Sequence, residues 1–218
     1  MEAASGNYTE VSSVLSSTSP MLTPETTFEL RPVRPKRADA LRNHERLIAA
    51  AREAFAEGGA ATSLEEIARR AEVGIGTLYR NFPTRQDLLE AVYLDELDGL
   101  CRSAADLAGL PPWEALNGWL HRFVGYLATK RALADELFSY MARDAAFFTN
   151  CRAAIYHAGE PLFERAQQAG VVRADAAFDD ALQIVMGIAK ASGADAERTE
   201  RILNLALDGL RHQGPRGR

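Results

Sequence analysis

An all-α fold is what this 218-residue sequence predicts. Apolar residues recur at intervals of three and four along most of the chain, and short breakers containing Gly, Pro or Asp divide those runs. No useful length alternates apolar with polar residues as a half-buried strand does. With 47% hydrophobic residues the chain can also supply a real core.

Residues 1 to about 30 are rich in Ser and Thr, and their apolar residues, among them Val11, Val14, Leu15, Met21 and Leu22, keep no period. That composition predicts a disordered tail, with Met21 inside it as a second candidate start. From Arg31 to Arg37 two prolines hold the backbone extended and four bases line it, which reads either as a solvated linker or as a basic arm that contacts nucleic acid. Tail and arm together occupy residues 1–37.

The first helix is expected from about Ala40 to Glu57, with Leu47, Ile48, Ala51, Ala54 and Phe55 on one face and Gly58-Gly59 as a positive-φ stop. A short second helix begins at Ser63 and places Leu64, Ile67, Ala68 and Ala71 on one side. Ser63 and Glu66 form a capping box, in which the Ser63 hydroxyl accepts from the Glu66 amide and the Glu66 carboxylate reaches back to the Ser63 amide. After a turn at Glu72 to Gly74, a third helix covers roughly Ile75 to Asn81 and ends before Pro83.

Thr84 caps a long fourth helix, with Asp87 as its partner three residues on. Its stripe of Leu88, Leu89, Val92, Tyr93, Leu97, Leu100 and Cys101 carries it beyond the short helices, so it is expected to join two domains, 38–86 and 87–212, rigidly. Pro111-Pro112 open a helix that turns Leu116, Trp119, Leu120, Phe123 and Leu127 inward. Further helices are expected at about 132–141, 144–169, 177–191 and 196–211, with Pro161 kinking or dividing the second of them and 213–218 left as a flexible tail.

Several function classes are disfavoured. No stretch approaches the ~18 apolar residues of a membrane span, and the first thirty residues hold neither Lys nor Arg, so no conventional secretory signal is present and a cytoplasmic protein is expected. Cys101 and Cys151 match no metal or redox spacing and read as plain thiols; neither a metal nor a cofactor is expected. The sequence contains no G-x-S-x-G elbow, P-loop or His-Glu-x-x-His site, which argues against an enzyme.

Net charge is -5, yet residues 1–30 carry -4, residues 31–93 carry +2 and residues 94–218 carry -3. An acidic total disfavours a bulk DNA coater and leaves room for a local basic footprint.

The third helix carries the functional signal. Leu78 and Phe82 anchor one face of Gly74-Ile75-Gly76-Thr77-Leu78-Tyr79-Arg80-Asn81-Phe82, leaving Ile75, Gly76, Thr77, Tyr79 and Arg80 to face outward. A two-turn helix braced by a short partner suits a major groove; an outward Tyr hydroxyl suits a phosphate oxygen, and a glycine lets backbone approach the groove wall.

From about Arg42 to Tyr93 the sequence resembles the TetR family of transcriptional regulators. The resemblance runs through Ile48-Ala49-Ala50-Ala51, Phe55, Gly58, Thr62-Ser63-Leu64-Glu65-Glu66-Ile67-Ala68, Val73 and Thr77-Leu78-Tyr79-Arg80-Asn81-Phe82. The part after Pro111 is similar to the variable effector half of that family, and its Phe123-Val124-Gly125-Tyr126 and Ala128-Thr129-Lys130-Arg131 segments resemble regulators common in actinobacteria.

The resemblance implies a homodimer with N-terminal DNA-binding helices and a C-terminal bundle for a small-molecule effector. It places Ile75, Gly76, Thr77 and Arg80 at or near base edges, and Tyr79, Asn81, Ser63 and Arg85 on phosphates with the Thr84 cap amide close by. Three departures accompany it. Glu72 stands where the family often has a turn glycine, Asn81 replaces a frequent His, and Glu65 occupies a position where some members read bases with Arg, so the second helix is expected only to position.

In the second half most aromatics are expected in the core, while Trp119, His121, Phe123, Tyr126, Tyr140 and His157 are the candidate lining of an apolar effector cavity with a few polar contacts. Leu182, Ile184, Val185, Met186, Ile188 and Ala189, followed by Ile202, Leu203, Leu205, Ala206, Leu207 and Leu210, make the last two helices apolar on more than one face, as a four-helix dimer interface needs. A two-fold pair of reading helices fits a palindromic operator. The expected mechanism is release of DNA when effector binding shifts the fourth helix; the competing reading is a DNA binder governed by a protein partner instead of a small ligand.

Overall fold

The computed structural model describes residues 38–59, 62–141, 145–191 and 195–211, with side chains over 38–59, 62–131, 147–191 and 195–211. The expected tail and basic arm at 1–37, Met21, and the end tail at 213–218 lie outside the described residues. Among the described residues the chain is all-α: α1 (Ala38–Gly58), α2 (Leu64–Arg70), α3 (Ile75–Asn81), α4 (Arg85–Leu107), α5 (Pro112–Met141), α6 (Ala145–Gln168), α7 (Phe178–Ala191) and α8 (Ala196–Leu210). Two compact units result, one from residues 38–98 with Thr129–Phe148, the other from Gly99–Ala128 with residues 149–211.

In the first unit α1 packs on α2 and α3, and α2 packs on α3. Leu47, Ile48, Ala51 and Phe55 of α1, Ile67 and Ala68 of α2, Leu78 of α3, Phe82, and Leu88, Leu89 and Val92 of α4 are buried. Each Leu or Phe so enclosed stabilises the fold by about 1.5–3 kcal/mol. The stop after α1 divides between its two glycines. Gly59 takes the left-handed φ of 59°, whereas Gly58 is the helix's last residue and leaves room for Thr62, whose Oγ1 would stand 2.5 Å from an added Cβ. That hydroxyl donates to the carbonyls of Ala54 at 2.9 Å and Gly59 at 3.1 Å, satisfying the helix end.

The caps differ from each other. Thr84 and Asp87 form a full reciprocal box, each side chain accepting from the other residue's amide. At α2, Ser63 accepts from the Glu66 amide at 3.2 Å as expected, but the Glu66 carboxylate turns away from the cap to Arg69 and Arg70. Charge-assisted bonds to guanidinium groups one turn ahead outweigh a single neutral amide.

The second unit is built around Trp119, with Leu116, Leu120, Phe123, Ile155, Tyr156, Phe163, Phe178, Leu182, Val185, Leu203 and Leu207 buried about it. Gly159 permits this aromatic packing, since an added Cβ would stand 2.5 Å from Phe178 Cζ and closer still to Trp119 Cη2. The α7 and α8 helices pack together, and the chain after α6 is tied to the end of α8 by a Val172–Arg211 bridge and an Arg173 amide donating to the Leu210 carbonyl at 3.0 Å.

One expected boundary is corrected and, of the two outcomes expected at Pro161, division is excluded. No separate helix begins near 132, because α5 runs unbroken from Pro112 to Met141; its Ala128-Thr129-Lys130-Arg131 segment holds no Gly or Pro to stop it. Pro161 does not divide α6 either. The carbonyl deprived of its donor there belongs to His157, and both residues are exposed, so water can satisfy it. Cys151 is buried and Cys101 half-buried, and neither forms a disulfide. No described helix is long and apolar enough to cross a membrane.

Candidate nucleic-acid interface

The turn before α3 begins with a residue under strain. Glu72 holds φ at 52°, a region that costs a side-chain-bearing residue about 1–2 kcal/mol, and its carboxylate accepts from Arg46 of α1 at 2.6 Å. The Val73 amide then donates to the Ala68 carbonyl at 3.0 Å, closing α2 and directing the chain into α3.

Leu78 at 0% exposure and Phe82 at 3% fix the inner face of α3, and Phe82 also stacks on the buried His44 ring of α1 at 4.8 Å. The opposite face is open. Ile75 is 39% and Tyr79 46% exposed, with Gly76 and Arg80 exposed beside them. Thr77 is half-buried and central to the local hydrogen bonding: its hydroxyl accepts from Arg80 at 2.9 Å and its carbonyl from the Asn81 amide group at 2.8 Å. The structure thus brings Ile75, Gly76, Thr77, Tyr79, Arg80 and Asn81 onto one short helix with its apolar anchor beneath.

The flanking candidates serve the framework in the free protein. Ser63 and Thr84 are exposed at the N-termini of α2 and α4, where each caps its helix. Arg85 is half-buried; its guanidinium donates to the Thr62 carbonyl at 2.6 Å and lies over the Phe55 ring at 5.2 Å.

The arginines of α2 are tied up within the protein. Glu66 receives both Arg69 and Arg70, and Arg70 also reaches Glu57 at 2.7 Å. Their hydrogen bonds hold the Glu66 carboxyl down to about 2.

In the second unit the candidate effector residues separate. Trp119, Phe123 and Tyr126 are buried and stack in series, Trp119 on Phe123 at 5.8 Å and Phe123 on Tyr126 at 6.0 Å. Trp119 Nε1 donates to the Leu100 carbonyl at 3.3 Å. His121 is half-buried between α5 and α8, with Nδ1 at 2.8 Å from the Asn117 carbonyl and Nε2 at 3.1 Å from Asn204 Oδ1. His157 is exposed on α6, and the Tyr140 side chain lies outside the described residues.

Sequence reasoning missed a buried polar group beside this aromatic core. Arg152, 5% exposed, donates to the Tyr156 hydroxyl at 3.3 Å, lies over the Tyr156 ring at 5.1 Å and stands 4.0 Å from Asp179. Tyr156 itself donates to Asp179, and burial, reinforced by that carboxylate, raises its hydroxyl above the ordinary phenolic range. The i, i+4 spacing of Arg152 and Tyr156 was visible; Asp179 on another helix was not. On α8, Leu205 is 69% exposed while Ile202 and Ala206 are half-buried, and Ile184 and Met186 of α7 are half-buried as well.

Comparison with known proteins gives the family of the chain. Residues 47–92 match the family described as bacterial regulatory proteins, tetR family, and residues 111–212 match the C-terminal domain described as transcriptional regulator SbtR-like. A TetR transcriptional regulator from Streptomyces coelicolor is 42% identical, with 78% of this chain and 99% of that one covered and a TM-score of 0.71. A TetR transcription regulatory protein from Mycobacterium vanbaalenii is 35% identical over 82% of this chain and 100% of its own, with a TM-score of 0.64. GusR of Salmonella enterica is similar at 25% identity over 81% and 98%, with a TM-score of 0.52.

Proposed function

The chain belongs to the tetR family of bacterial regulatory proteins, and from that premise we propose that it is a homodimeric repressor that a small molecule releases from a palindromic operator. The observation that carries the DNA reading is the open face of α3, where Ile75 and Tyr79 stand exposed over the buried Leu78 and Phe82. A large apolar residue and a tyrosine gain nothing from water there. Against DNA, Ile75 meets a thymine methyl, Arg80 a guanine edge or a phosphate, and the Tyr79 hydroxyl a phosphate oxygen. Gly76 and Thr77 admit the groove wall, while Asn81, Ser63, Arg85 and the Thr84 amide bear on the flanking backbone.

One reading helix of two turns binds weakly, so a two-fold pair is required to address two half-sites. The face of α8 that exposes Leu205, with its half-buried neighbours on α7 and α8, is the surface assigned to that pairing. The effector half is the second unit, with Trp119, Phe123 and Tyr126 as its aromatic wall and His121 and His157 as its polar candidates. Effector binding shifts α4 and changes the separation of the reading heads, and by linkage DNA weakens the effector to the same extent.

Selection of bound duplexes from a random pool tests the first part, and recovery of a two-fold motif is the expected result. Recovery of no enriched motif counts against it. A melting-temperature screen of small molecules, followed by titration against the selected duplex, tests the second; a ligand that stabilises the protein without lowering DNA affinity contradicts release.

A further inference from the structure

In the unit that carries α1 to α3, one guanidinium on α1 faces two successive carboxylates on α4. Arg52 Nη2 donates to Asp95 Oδ2 at 2.5 Å, and Arg52 Nε lies 2.5 Å from Glu96 Oε1. The other oxygen of Glu96 accepts from the Thr129 hydroxyl on α5 at 3.3 Å. One carboxylate is therefore shared by α1 and α5. The side chains of Asp95 and Glu96 are 25% and 18% exposed and that of Arg52 41%, so the carboxylates are partly shielded while the guanidinium still meets water and salt.

The remaining buried side chains of α1 and α4 are chiefly Leu, Ile, Ala, Val and Phe. Such surfaces attract without direction, and ridges packed into grooves tolerate small slides. The Arg52 Nη2 hydrogen bond to Asp95 tolerates less, because a guanidinium donor points in a fixed direction, and the close ion pair of Nε with Glu96 adds attraction without an aligned hydrogen bond. Since α3 packs on α1, whatever fixes α1 along α4 also fixes the reading helix along α4.

We propose that Arg52 is a positioning residue: held by Asp95 and Glu96, and through Glu96 by Thr129, it sets where α3 stands relative to α4 and so the spacing of half-sites the dimer accepts. The role rests on the DNA-reading function proposed above. Arg52 acts through α1 without touching nucleic acid, and Thr129 lets the α5 segment bear on the same carboxylate that holds α1.

The test uses full-length Arg52→Gln, Arg52→Lys, Glu96→Gln and the Arg52→Gln/Glu96→Gln double variant. Each is titrated on the duplex selected by the wild type, on that duplex with one base pair inserted between its half-sites, and on a single half-site. Wild type is expected to lose about tenfold or more on the insertion, which turns one half-site by roughly a tenth of a helical turn. Arg52→Gln is expected to bind the selected spacing about tenfold weaker yet lose under about threefold on insertion, with half-site affinity and salt slope unchanged. Arg52→Lys, which can hold one carboxylate well, falls between, and the double variant is no worse than Arg52→Gln.

A shallower salt slope with weaker half-site binding in Arg52→Gln would make Arg52 a phosphate contact and overturn the proposal. Equal losses on all three duplexes with a lowered melting temperature would assign it to stability alone, and unchanged spacing preference would also sink it. If the wild type selects no duplex, the DNA-reading function itself has failed, an outcome separate from all of these.

Discussion

The Arg46 guanidinium donates to the Glu72 carboxylate at 2.6 Å, pinning to α1 the one non-glycine residue with positive φ among those described. Strain and ion pair occur on the same residue and can be separated by substitution. Glu72→Gly relieves about 1 kcal/mol of left-handed strain and gives up an exposed ion pair whose worth is about 0–1 kcal/mol, so its unfolding midpoint is expected at or slightly above wild type. Glu72→Ala keeps the strain and loses the pair, so it is expected to be the least stable of the three proteins. Urea titrations of wild type and the two variants check the order; Glu72→Ala as the most stable would show that φ is not a cost here.

This turn also shows what the sequence could disclose. Its boundaries depend on chemistry acting over three or four residues: Ser63 and Thr84 as caps, Gly59 as a positive-φ stop, Pro83 as a breaker, and Leu78 with Phe82 as the anchored side of α3. Those were legible for that reason. The Glu66 side chain was not, because Arg69 and Arg70 one turn on compete with the Ser63 amide for it and nothing local decides the winner. Arg52 and Asp95 are 43 residues apart, and Tyr156 and Asp179 are 23 apart. Pairings of that kind arise only when helices dock, and no periodicity announces them. The length of α5 was missed for the opposite reason, an interruption expected where the residues contain no breaker.

Gly159 sits where Trp119 of α5 and Phe178 of α7 meet α6, and a methyl group there would stand 2.5 Å from Phe178 Cζ. Both rings are buried and stacked against others, so neither can withdraw without moving Phe123, Tyr156 or Phe163. Gly159→Ala would gain about 0.5–1 kcal/mol from helix propensity and lose about 1–3 kcal/mol or more to overpacking. A net fall in melting temperature is expected, with partial recovery in Gly159→Ala/Phe178→Leu. A melting temperature equal to or above wild type for the single variant would mean that the aromatic core has slack at this point.

The charge cluster on α2 predicts an acid response with a definite sign. Hydrogen bonds from Arg69 and Arg70 depress the Glu66 carboxyl from its ordinary 4.5 to about 2. A lowered folded-state value means that the contribution is fully present above about 4.5 and is lost as pH falls towards 2. The cluster is exposed to water, so the effect is modest. Melting temperatures of wild type and Glu66→Gln are expected to differ at pH 5 and to converge as pH approaches 2, with the backbone cap from Ser63 intact in both. A difference that stays constant across this range would mean that Glu66 is not stabilised by its arginines.

The reading face of α3 allows positioning and sequence readout to be told apart. Tyr79→Phe removes only the hydroxyl from a residue that is 46% exposed, so the fold should be unaffected. If that hydroxyl holds a phosphate oxygen, affinity falls by a similar factor on the selected duplex and on sequence-scrambled DNA, and specificity is retained. Ile75→Ala should instead cost mainly the selected sequence, at the position where a thymine methyl is covered. Thr77→Val frees Arg80 from its 2.9 Å bond to the Thr77 hydroxyl, leaving the Asn81 bond to the Thr77 carbonyl intact. With Arg80 no longer held towards Thr77, discrimination at the base pair it reads should loosen while the dependence on salt is unchanged, since the number of neutralised phosphates stays the same. Competition titrations at two salt concentrations separate the outcomes: a Thr77→Val protein with wild-type specificity and a reduced salt slope would place Arg80 on a phosphate and leave base readout to Ile75.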